Sequence, residues 1–77
     1  MTKQEFLMRF EDILEMEAGS LKGDEPLASL DGWDSLAVVT FIAMVDENIE
    51  MALSPAKIAQ SRTVADLITL LGDKIAA

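Results

Sequence analysis

Apolar residues recur at three- and four-residue intervals in every patterned segment of this chain, and no segment alternates convincingly with period two. That spacing leaves the α-helix as the regular element from which the fold must be built. Thr2-Lys3-Gln4-Glu5 has the form of a capping box, in which the Thr hydroxyl takes a backbone N–H and Glu5 reaches back. Behind it Phe6, Leu7, Phe10, Ile13 and Leu14 make one face, and Glu11, Asp12, Glu15 and Glu17 are expected to be solvated on the other. With Gly19 as the stop, the first helix is predicted over Lys3 to Ala18. Asp34 reads as an N-cap for a second helix from Ser35 to about Asn48. Ser54-Pro55 opens a short helix to about Gln60, and Thr63-Val64-Ala65-Asp66 opens the last, with Val64, Leu67, Ile68, Leu71 and Ile75 as its buried stripe. The expected fold is all-α, a small bundle of three main helices plus one short helix in a single domain over residues 1–77.

Between the first two helices runs a long loop, Ser20 to Trp33. Leu21, Leu27, Leu30 and Trp33 are spread through it, so it is expected to lie pinned on the core rather than in solvent. Connections of this length are uncommon in small domains and often functional. On the second helix Val38, Phe41, Ile42, Val45 and Ile49 should point inward. Leu36, Val39 and Ala43 fall on the other side, with Thr40, Asp46 and Glu47. Apolar residues set among acids on a solvent face are the unexpected feature of the pattern.

Composition removes several chemistries. The 77 residues contain no Cys and no His, which excludes disulfides, Cys/His zinc sites, Cys nucleophiles and His-based triads. Fourteen acids against six bases give a net charge of −8, which disfavours nucleic acid and anionic lipid and favours basic protein surfaces. The longest apolar stretch, Leu36 to Val45, is half of what a membrane span requires, and Met1-Thr-Lys-Gln-Glu does not begin a signal peptide. A cytoplasmic location is the expectation. A Ser nucleophile would lack a base and oxyanion donors, and Asp31-Gly32-Trp33-Asp34 lacks the alternating oxygens of a calcium loop. No catalytic residue and no metal ligand is assigned.

Gly32-Trp33-Asp34-Ser35-Leu36 places a hydroxyl in the first turn of a helix, behind an acidic cap, at the end of the long loop. Asp and Ser there can be no more than helix caps. The free N–H groups and positive dipole end of such a turn also suit a phosphate, so a phosphodiester on Ser35 would sit there favourably.

Asp34-Ser35-Leu36 preceded by Gly32 resembles the attachment motif of the acyl carrier proteins and related phosphopantetheine-dependent carrier domains. The resemblance extends over nearly the whole chain, through its length, acidity, helix order and the Thr63-Val64 opening of the last helix. It implies that a phosphopantetheinyl transferase moves the 4′-phosphopantetheine arm of coenzyme A onto Ser35. Asp34 would belong to the attachment site, and an acyl or aminoacyl group would ride as a thioester on the arm's thiol. The chain would deliver that group to enzymes of fatty-acid, polyketide or related biosynthesis and catalyse nothing itself. The resemblance further implies docking of basic patches on partner enzymes through Asp34, Leu36, Val39, Asp46 and Glu47, with the chain acting as a monomer. From Gly23 to Ala56 there are seven acids and no Lys or Arg, in keeping with such a surface. An acyl chain sheltered among the helices would meet Phe41, Ile42, Val45, Leu67 and Ile68, for which ordinary core packing is the default.

The chain departs from fatty-acid-synthesis carriers at three positions. Ala37 and Thr40 stand where acids are usual, and Trp33 replaces a small residue. These changes are expected to make the docking face more apolar and point to a dedicated pathway. The competing reading is an unmodified acidic helical adaptor that binds a basic protein and uses Ser35 as a cap. A small hydrolase is a third, disfavoured by the absence of His.

Overall fold

In the computed structural model four helices form in the expected order: α1 (Lys3–Ile13), α2 (Ser35–Ile49), α3 (Pro55–Ala59) and α4 (Val64–Leu71). Short 3-10 turns interrupt the long loop at Leu27–Ser29 and follow α4 at Gly72–Lys74. Residues 1–76 are described, so the last position of the expected 1–77 domain lies outside the described residues. Among the described residues no strand forms, and the extended pairings are isolated bridges between Thr2 and Ala76 and between Pro26 and Thr63.

Each helix begins where a short polar side chain can occupy a free N–H. The Thr2 hydroxyl accepts from Glu5 N at 3.0 Å, the Asp34 carboxylate from Ala37 N at 2.9 Å and the Ser54 hydroxyl from Lys57 N at 3.3 Å. At α4 the box is reciprocal: Thr63 accepts from Asp66 N at 3.1 Å while the Asp66 carboxylate accepts from Thr63 N at 3.1 Å. At α1 it is not. The Glu5 carboxylate turns outward to Arg9, 3.3 Å away at i+4, instead of reaching back to the cap.

The core joins α1, α2 and α4 through side chains fully withdrawn from water, among them Phe6, Phe10, Phe41, Val45, Val64 and Leu67. Leu21 and Leu27 from the long loop are buried with them, and Leu30 and Trp33 pack against the same cluster. The loop is therefore pinned, as its leucines suggested. Backbone bonds tie it further, with Leu27 N donating to Arg62 O at 2.8 Å and Val64 N to Glu25 O at 3.0 Å. The two ends of the chain meet where Lys3 N donates to Ala76 O at 2.9 Å.

Two further expectations for α1 are corrected. The helix ends at Ile13 rather than running to Ala18, because Glu15 adopts a left-handed conformation at φ 58°. Met16 N then donates to Glu11 O at 2.8 Å and Glu15 N to Asp12 O at 3.2 Å, the paired bonds of a Schellman terminus built without glycine. Glu11 is not solvated, unlike Asp12, Glu15 and Glu17. It is 3% exposed, and its carboxylate accepts Leu21 N at 2.8 Å, fastening the start of the loop to α1.

Replacing Glu11 by Ala would orphan that buried N–H. The expected loss is about 1–3 kcal/mol of unfolding free energy in denaturant titrations, with Glu11→Gln, which keeps an acceptor, losing less. Two carboxylates, half-buried Glu25 and exposed Asp66, add a pH dependence. At Glu25, burial favours the neutral acid but is outweighed by hydrogen bonds from Lys22 N and Gly23 N, which hold its pKa below the ordinary value. Bonds from Arg62 N and Thr63 N do the same for Asp66. A lowered carboxylate pKa stabilises the fold above the unfolded-state pKa, and that contribution is lost as pH falls through the folded value. The thermal midpoint should therefore drop below a pH of about 4, and less steeply in a Glu25→Gln/Asp66→Asn double variant.

Candidate functional site

The end of the long loop is fixed by a close approach. Gly32 lies against the C-terminal end of α1, where a Cβ would meet Leu14 O at 2.9 Å. The next residue, Trp33, half-buried, sets its ring 5.2 Å from that of Phe10 and 5.9 Å from that of Phe41. With those two positions held, Asp34 is extended and α2 starts at Ser35.

Asp34 and Ser35 divide the roles that the sequence left open between them. The Asp34 side chain caps the helix through Ala37 N, and its carbonyl accepts Val38 N at 3.0 Å. Ser35 is exposed at the first helical position, and its hydroxyl has no hydrogen-bond partner among the described residues. The N–H groups of Ser35 and Leu36 likewise find no acceptor among them. The turn thus presents a free nucleophilic oxygen beside free donors at the positive end of α2, a setting that fits a phosphodiester.

Beside Ser35 opens an apolar groove of about 440 Å³ between α2 and α3. Trp33, Val38, Ile42 and Ile58 line it, while Ser35, Val39, Pro55, Ala59 and Ser61 complete it. No sequence pattern signals this groove, because Ile58 is the lone large apolar residue of a helix too short to show a period. Another concavity of about 460 Å³, beside Met8 and Arg9 on α1 and Met16 just beyond its end, includes none of the motif's residues.

Leu36 and Val39 stand out from α2 at 74% and 62% exposure, and Asp46 and Glu47 are exposed further along. The Thr40 hydroxyl donates to Leu36 O at 3.0 Å, which turns the polar atom of that side chain back onto the helix. Ala37 is corrected: at 6% exposure it belongs to the core, so its lack of charge does not alter the outer face. The interior proposed as an acyl shelter is closed as well. Phe41, Val45 and Leu67 are 0% exposed, and of the five residues expected there Ile42 alone lines the groove.

Among the described residues no group of His, Cys, Asp and Glu is arranged to hold a metal ion, and no helix is long and apolar enough to cross a membrane. A family model described as a phosphopantetheine attachment site matches residues 4–71. Searches of curated proteins and of solved structures find no match.

The division between cap and free hydroxyl has a thermodynamic signature. Asp34→Ala should lower stability by about 1 kcal/mol through loss of the cap. Ser35→Ala should change it by less than about 0.5 kcal/mol. Chemical denaturation of the two variants beside the parent chain reads both.

Proposed function

Because this chain belongs to the family of phosphopantetheine attachment domains, carriers that bear covalent 4′-phosphopantetheine, we propose that its attachment point is the Ser35 hydroxyl and its cargo an acyl or aminoacyl thioester. One observation carries the assignment. The hydroxyl at the head of α2 is exposed and spent on no cap, since Asp34 supplies the cap instead. Ser35 Oγ attacks the phosphorus of coenzyme A that bears pantetheine. An O–P bond forms at Oγ, the diphosphate bridge breaks with adenosine bisphosphate leaving, and the hydroxyl proton passes to a base on the transferase. The arm supplies a terminal thiol to a chain that has no cysteine of its own.

The chain's other residues serve encounter rather than chemistry, and we assign it no catalysis. Leu36 and Val39 offer apolar contact, while Asp34, Asp46 and Glu47 attract basic patches on the transferase and on acyl-processing enzymes. Such docking is salt-sensitive and brief, as a monomeric cytoplasmic shuttle requires. The uncharged Thr40 and the bulky Trp33 favour a dedicated pathway, polyketide or related, over housekeeping fatty-acid synthesis.

Incubation with coenzyme A and a phosphopantetheinyl transferase should raise the intact mass by one arm, with Ser35→Ala unmodified. The rate should fall with added salt, and less so in an Asp46→Lys/Glu47→Lys variant. A parent chain left bare would instead favour the unmodified adaptor.

A further inference from the structure

Between the end of α1 and the head of α2 lies a hollow of about 200 Å³ that shares no lining residue with the groove between α2 and α3. Ile13, Leu14 and Glu15 line it from the end of α1, Gly32 and Asp34 from the loop, and Leu36 from α2. It falls below the volume of about 300 Å³ at which small-molecule sites begin, and is suited to one long side chain. We propose that the hollow receives an arginine of the phosphopantetheinyl transferase and that Glu15 is the residue that holds it. The inference rests on attachment at Ser35 and adds to the docking surface an element outside α2.

The charge of the occupant follows from the acceptors around it. Glu11 O and Asp12 O are taken by the bonds that close α1, but no donor among the described residues reaches Ile13 O or Leu14 O. Leu14 O lies where α1 meets Gly32, the atom that a Cβ there would strike. The last turn of α1 contains no base, so nothing in the chain offsets the negative end of its dipole. Glu15 is exposed and its carboxylate has no partner among the described residues, while Asp34 keeps its charge beside its cap. No lining residue is Lys or Arg.

The walls set the rest of its chemistry. Ile13 and the 74% exposed Leu36 offer hydrocarbon to the stem of a long cationic side chain. Carbonyl and carboxylate are separate acceptors, which the forked donors of a weakly hydrated guanidinium serve better than an ammonium does. The donor of that arginine follows from position. Asp34 and Leu36 line the hollow and Ser35 stands between them, so an enzyme that reaches Ser35 also covers the hollow.

Glu15 separates docking from folding. At φ 58° it holds a position that favours glycine, and glycine would close α1 with the same backbone bonds. What glutamate adds there is a carboxylate at the rim.

The test measures kinetics of arm transfer from coenzyme A to the parent chain, Glu15→Gly, Glu15→Gln and Glu17→Gln, with thermal midpoints beside them. Both Glu15 variants should raise KM for the chain by about three- to tenfold at low salt and leave kcat unchanged. Glu15→Gly should also raise the midpoint by about 2–6 °C, a gain in stability that no damaged fold can couple to weaker docking. Glu17→Gln, an equal change in net charge outside the hollow, should keep the parent's KM. When surface arginines of the transferase are replaced by alanine singly, one should raise KM for the parent yet leave that for Glu15→Gln unaltered. A KM within about twofold of the parent in both Glu15 variants, an equal rise in Glu17→Gln, or no such arginine overturns this inference alone. A parent chain that accepts no arm at Ser35 overturns the attachment reading and this inference with it.

Discussion

Everything at the head of α2 depends on four aromatic rings packed where α1, α2 and the long loop converge. Phe6 and Phe10 stack at 5.8 Å along α1, and Phe41 from α2 meets both edge-on at 5.9 and 5.6 Å. Trp33 closes the cluster from the loop. Such pairs contribute about 0.5–1.5 kcal/mol each beyond burial, and their preferred angles give direction as well as energy. Trp33 is also two residues before Ser35, so the packing that completes the core sets the angle at which the chain enters α2. Gly32 makes this possible by letting the loop backbone touch Leu14 O. An exposed hydroxyl is thereby held on a rigid base although nothing grips it directly.

The charges of α2 follow a different logic from its packing. Its carboxyl end carries Asp46, Glu47 and Glu50, and its last turn contains no base. The helix dipole favours the opposite arrangement, by roughly 0.3–1 kcal/mol per exposed charge. Glu50 is strained too, standing at φ 53° where glycine would be favoured. A helix selected for stability alone would not end this way. Local rules broken together on one exposed face suit a surface shaped by what approaches it. The uncharged stretch of Leu36, Val39 and Thr40 leaves room for close apolar contact between the acids before and after it.

Helix starts were readable from sequence because they are local. Thr2, Asp34, Ser54 and Thr63 each cap the helix that follows, as their spacing from the apolar stripes indicated. The end of α1 was not readable, because Glu15 takes the left-handed position in place of the glycine that usually marks it. Glu11 was misplaced for a tertiary reason. The amide it accepts lies ten residues away on a loop whose path no helical period reports. Ala37 was assigned to the docking face because a methyl group adds little to a stripe, yet it fits where helices approach closely. At the site, the motif could be read letter by letter, whereas the groove could not. It arises from the placement of a five-residue helix against α2.

For the attachment proposed at Ser35, Asp34 poses an apparent conflict, since a carboxylate beside a phosphodiester is repulsive. Its capping bond resolves part of it, for the charge is drawn onto Ala37 N and toward the positive end of α2. What remains is useful to a carrier. A phosphate held by several free N–H groups with no opposing charge would be bound firmly, as at dedicated anion sites. With Asp34 adjacent, the donors of the first turn compensate the phosphate without capturing it. On the proposed attachment at Ser35, an arm so placed stays free to swing to a partner's active site.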